Sequence, residues 1–209
     1  AGLDLENYEC FIDTTSTLSL QSQSEYDLST NQRLIALTQT KDLDVMVLDG
    51  IVCQNFSYNG MLADLREVLT EEELAGYEGQ IYYVDNAAIL AEEEAEYTSE
   101  ELIAQSEARA AATLDEINAE AKSHRDPSAM EDPIPVGIYL EDSAFIEGTA
   151  SYNGLVPIYT ICVTSQRTET AKQYLAFLFD ESISGSIQRN FLSKDKINAS
   201  VNKLLQIDY

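Results

Sequence analysis

Residues 41–74 read KDLDVMVLDGIVCQNFSYNGMLADLREVLTEEEL. The apolar run Val45-Met46-Val47-Leu48 lies between Asp44 and Asp49. Such a run reads as a central strand buried on both faces, the pattern of a parallel sheet. Gly50 follows, then a short helical stretch closed by Asn59-Gly60. LADLREVL comes next, and Thr70 with Glu73 three residues on is a capping box for another helix. Strand, acidic loop and short helix form a unit of an α/β ligand-binding fold, because open α/β sheets bind ligands just beyond the carboxyl ends of their strands.

The flanking sequence extends this pattern. YECFID (8–13) reads as a strand, and TTSTLSLQSQS (14–24) as a polar loop or an outward continuation of it. Ser29 or Thr30 can cap a helix running to about Thr40. IYYV (81–84), VGIYL (136–140) and VPIYTICV (156–163) are further strands. Residues 85–132 are rich in Glu and Ala; the Thr98–Glu101 capping box opens a long amphipathic helix to about Lys122, with Ile103, Ala110, Leu114, Ile117 and Ala121 at helical spacing. Helices opening at Thr168 and Ser193 complete the chain. The expectation is a single α/β domain over 1–209, with a largely parallel or mixed sheet flanked by helices and an acidic helical segment at about 85–132.

Composition narrows the function classes. Across 209 residues, 37 acidic side chains face 12 basic ones, a formal net charge of −25. That balance excludes nucleic-acid binding through phosphate neutralisation and direct docking on an anionic membrane. It suits a cationic partner or a well-solvated surface. No stretch approaches the roughly 20 apolar residues of a membrane span. Ala1 opens in polar sequence, as in a cytosolic protein or a secreted one trimmed of its leader. Cys10, Cys53 and Cys162 are widely spaced among apolar neighbours and read as small buried hydrophobes, with one disulfide left open.

Catalytic signatures are missing from the sequence. Its one histidine, His124, sits in a Pro-flanked connector. There is no G-x-S-x-G, P-loop, G-x-G-x-x-G or H-E-x-x-H pattern. The EF-hand pattern is absent, and Glu92-Glu93-Glu94 points in three directions on a helix, so neither metal nor cofactor is expected. Polar residues at strand ends are the better candidates for binding: Asp13 and Thr14, Asp49, and Asp142 with Ser143. In a parallel sheet these would converge on one edge, with Tyr58 and Tyr152 as aromatic walls.

One family resemblance follows from two segments. DLDVMVLDG with the helix, Gly and LADLREVLTEEEL after it, and later DPIPVGIYLEDSAF with YTICVTSQRTETAKQYLAFLFD, resemble extracellular solute-binding proteins of the type II periplasmic-binding-like class. More closely, the chain resembles membrane-anchored envelope proteins of Gram-positive anaerobes that carry such a domain. The resemblance implies a periplasmic-binding-like fold, here one lobe with part of a second. It also implies a cell-surface location, with anchoring through a segment absent from this chain. The expected function is non-catalytic capture of a small polar or cationic solute by Asp13, Thr14, Asp49, Asp142, Ser143 and Tyr152. The alternative is an envelope module that binds another protein through its acidic helical face and takes no small molecule.

Overall fold

The computed structural model describes residues 11–13, 18, 24–143, 146, 152, 154–180 and 182. Helix α1 (Glu25–Gln39) leads to β1 (Val45–Leu48), α2 (Gly50–Tyr58) and the short helices α3 (Leu65–Val68) and α4 (Glu71–Ala75). Then come β2 (Ile81–Asp85), α5 (Asn86–Glu94), α6 (Ser99–Ala111) and α7 (Leu114–Ser123). A 3₁₀ turn at Pro127–Ala129 precedes β3 (Pro133–Tyr139), β4 (Ile158–Ile161) and α8 (Thr168–Phe179).

The α/β class holds, but the sheet is not parallel or mixed. Among the described residues four strands form one sheet in the order β1-β4-β3-β2, and every neighbouring pair is antiparallel. Val45 pairs with Ile161, Gly137 with Thr160, and Ile81 with Ile138. The physical reason for the misreading lies in the layers. Helices cover both faces of this antiparallel sheet, so its strands are apolar on both sides, the pattern otherwise typical of parallel sheets. On one face Phe56 of α2 and Ala121 of α7 pack with Met46, Tyr139 and Ile158. On the other, Leu65 of α3 and Ala171, Leu175 and Leu178 of α8 pack with Ile138, Tyr159 and Ile161. Each fully buried Leu or Ile contributes about 1.5–3 kcal/mol of transfer free energy. Strand direction leaves no mark on such a pattern.

Two details fix the layers. The β2–β3 register shifts between Tyr82 and Tyr83, which pair with Gly137 and Pro135. Val136 is therefore the extra residue of a bulge, and the in–out alternation changes phase there. Ile134 and Val136 join the α2–α7 layer; past the bulge Tyr139 continues on it, while Ile138 and Leu140 turn to the α8 layer. At the start of α2, Gly50 faces α7 so closely that a Cβ would stand 2.4 Å from the Ala121 Cβ. Only glycine allows this approach.

Several local expectations change. The capping boxes at Thr70–Glu73 and Thr98–Glu101 are both formed. The long helix over 98–122 is instead two helices, because Thr113 and Glu116 form a further capping box and Ala112 is extended. Helix α1 begins at Glu25 rather than near Thr30: Ser24 Oγ accepts the Asp27 N–H at 3.1 Å and caps it. Phe11, Ile12 and Asp13 lie in no strand. Residues 8–10 of the expected first strand, most of 14–24, and the helix expected from Ser193 fall outside the described residues.

Candidate functional site

The strand ends do meet in part, by a different route. Strands β1 and β3 both run antiparallel to β4 between them, so they point the same way. Leu48 and Tyr139 both pair with Ile158, which puts Asp49 and the 141–143 turn at one end of the sheet. The side chains there are used structurally. Asp49 caps α2, accepting the Val52 N–H at 3.1 Å. Burial pushes its carboxyl up from the usual aspartate range, against the opposing pull of the Val52 and Ile51 amides. Ser143 is fully buried; its N–H donates to the Leu140 carbonyl at 2.9 Å and its Oγ accepts the Ile146 N–H at 3.3 Å.

Neighbouring charges are paired at the same end. Glu141 bridges Lys122, at 3.0 Å, and Arg125. The Arg125 guanidinium lies over the Tyr139 ring, 4.0 Å from its centroid, a cation–π contact. The Tyr139 hydroxyl donates to the Ala121 carbonyl and the Tyr82 hydroxyl, at 3.4 Å, to the Gly50 carbonyl. Two buried phenols and a salt-bridged Glu thus stand at this end of the sheet.

The other expected residues have separate places. Asp13 pairs with Arg33 of α1 at 2.8 Å. Asp142 is exposed on the turn after β3. Tyr152 is half-buried at φ 76°, and burial, helped by nearby Tyr174, pushes its hydroxyl up to about 12. Thr14 lies outside the described residues. Cys53 and Cys162 are free and buried, and Cys10 is outside the described residues.

A second locus opens elsewhere, between α2, α5 and α6. It is a groove of about 560 Å³. Its floor is half-buried, with Ile51, Asn55 and Tyr58 from α2 and Ile89 from α5. Its rim is exposed: Glu92 and Glu93 stand on α5, and Gln105 and Arg109 on α6. Burial raises the Tyr58 hydroxyl above the usual tyrosine range, and the Glu92 charge adds to the effect. Glu92 also accepts the Tyr97 hydroxyl at 2.7 Å, which ties the α5–α6 link to the rim.

This surface is acidic and partly apolar. Residues 91–120 hold ten Asp or Glu and a single basic residue, Arg109. Yet Leu90 and Leu102 are 52% exposed, Ile103 58% and Tyr97 39%. Helix α6 buries none of its 13 residues. Of the groove, sequence reading singled out only Tyr58, as an aromatic wall, and set Glu92–Glu94 aside as a metal site. The signal available was the Thr113–Glu116 capping box: it separates Ile103 and Ala110 from the stripe that Ile117 and Ala121 bury.

Among the described residues no group of three or more His, Cys, Asp or Glu is placed to hold a metal ion. Nor is any described helix long and apolar enough to cross a membrane. Set against family models, curated proteins and solved structures, the chain matches none of them.

Proposed function

We propose that the chain is a non-catalytic, extracytoplasmic module that binds another protein through the α5–α6 face. One observation carries this reading. A helix of 13 residues that buries none of them has little tertiary support, and isolated helices shorter than about 12–15 residues are marginal in water. Leu102 and Ile103 stand in solvent on it. A partner that covers them supplies the missing burial. The cell-surface location rests on the resemblance to envelope solute-binding proteins.

A photo-crosslinking residue placed at Leu102, and separately at Asp142, in the native host tests the reading. Discrete adducts from position 102 and none from 142 support it. Absence of adducts at 102, or equal adducts at both, removes it.

A second reading retains a small polar or cationic solute, in the groove rather than at the sheet end. Tyr58 beside Glu92 favours it, since an aromatic face next to a carboxylate suits an ammonium group. A polyamine that raises the melting temperature of the wild type, but not of Glu92→Gln, supports this reading. No shift with any polyamine sets it aside.

A further inference from the structure

The groove has the form of a seat for an elongated occupant. Its floor is half-buried and its rim exposed, so it does not enclose a ligand as a small-molecule site does when it buries about 70–90% of its guest. Its longest wall runs along α2 from Ile51 to Asn59, about 12 Å at 1.5 Å per residue, and α6 lines the side with Gln105, Ala108 and Arg109. That length matches about two turns of a partner helix. Leu102, Gln105 and Arg109 are spaced i, i+3, i+7 and share one strip of α6. Gln105 and Arg109 line the groove, and Leu102 stands next along the same strip toward the start of the helix.

Charge selects among occupants. The surrounding segment has ten acidic residues against Arg109, in a chain of net charge −25. An acidic helix would meet like charge at Glu92 and Glu93 along the α5 rim, at a cost that grows as the groove loses water. A basic one meets Glu92 and Glu93 on α5. We propose that the groove between α2, α5 and α6 receives a basic amphipathic helix of a partner protein. Its apolar side rests on Ile51, Ile89 and Leu102, and its Lys and Arg side chains reach Glu92 and Glu93. This rests on the protein-binding reading above and names the partner's chemistry.

The test uses the full chain and a synthetic 18-residue Leu/Lys peptide with helical amphipathic spacing. Its controls are a scrambled peptide of the same composition and a Leu/Glu peptide of the same spacing. Calorimetric titration should show the amphipathic Leu/Lys peptide binding at least tenfold more tightly than the scrambled one, with no binding of the Leu/Glu peptide. Leu102→Ser and the double change Glu92→Gln with Glu93→Gln should each weaken it tenfold or more. Amide shift changes should gather on α2, α5 and α6. Unchanged melting temperatures would show that these exposed variants still fold. Equal binding of scrambled and amphipathic peptides, indifference to Leu102→Ser, or shifts gathered at the sheet end would each overturn the proposal. The peptide decides the partner's chemistry and the crosslink at position 102 decides the broader reading: adducts without a peptide preference sink the first alone, and the loss of both sinks both.

Discussion

Gly50 and Ala121 hold α2 and α7 in backbone contact: a Cβ built on Gly50 would lie 2.4 Å from the Cβ of Ala121 and 3.1 Å from its Cα. Gly50→Ala should therefore destabilise the fold by about 1–3 kcal/mol, the usual cost of overpacking a tight core. Ala121→Gly in the same chain should return part of that loss by reopening the space. Urea unfolding of the single and double variants measures the coupling, and strict additivity would refute the contact.

Asp49 is the N-cap of α2. Asp49→Ala should cost about 1 kcal/mol of stability, the usual price of a lost N-cap. Asp49→Asn keeps an oxygen for the Val52 N–H and removes a charge that burial disfavours, so it should match or exceed the wild type in thermal melts. Equal losses for Asn and Ala would mean that the charge itself is needed.

The pH response has two signs. Backbone amides of Thr70, Thr98 and Thr113 hold Glu73, Glu101 and Glu116 below the usual glutamate range. Stability from such depressed carboxylates is fully present above their unfolded pKa of about 4.3 and is lost as pH falls through the folded values. Asp49, raised by burial, contributes in the opposite sense: folding favours its protonated form, and that preference is lost as pH rises through its raised folded value. Carboxyl-carbon NMR titration should find the three capping glutamates titrating below the ordinary range and Asp49 above it.

Both described cysteines should resist alkylation in the folded protein. Cys53 and Cys162 are buried; burial raises both thiols well above the usual range, Cys162 to about 12, and nearby Asp49 and Asp44 add to this. Thiolate is the reactive form, so labelling should wait on unfolding. Mass spectrometry during a urea series would show these two sites modified only through the unfolding transition.

Leu102 and Leu175 separate surface from core. Leu175→Ala removes a buried side chain between α8 and the sheet and should cost about 2–5 kcal/mol. Leu102→Ser touches a side chain already half in water and should stay within about 0.5 kcal/mol. Chemical denaturation of the two variants checks both.

Local chemistry was largely readable from sequence. Val45–Leu48, Ile81–Val84, Val136–Tyr139 and Ile158–Ile161 all fall in strands, and two capping boxes were identified by their Thr-x-x-Glu spacing. Strand direction was not readable, because side-chain burial on both faces records cover and not polarity. The break between α6 and α7 was readable in Thr113-x-x-Glu116 but was hidden behind the helical spacing from Ile103 to Ala121. The groove was beyond reach, since it depends on how α5 and α6 are set against α2, which lies far from them in sequence. The sequence placed Asp49 and Ser143 at strand ends, and their hydrogen bonds in the α2 cap and the 143–146 turn depend on local geometry that the spacing alone does not show.

The placement of β4 at the centre of the sheet also orders events in time. Val45 has its strand partner in Ile161, and among the described residues β1 has no other strand beside it. During synthesis β1, α2 and β2 leave the ribosome long before β4 exists. Until then β1 offers unpaired amides and carbonyls and an apolar surface on both sides. The sheet closes only when residues 158–161 slide in between β1 and β3, a non-local step of the kind that makes folding slow. The exposure of apolar strand surface, and with it the tendency to aggregate, is therefore greatest just before β4 arrives.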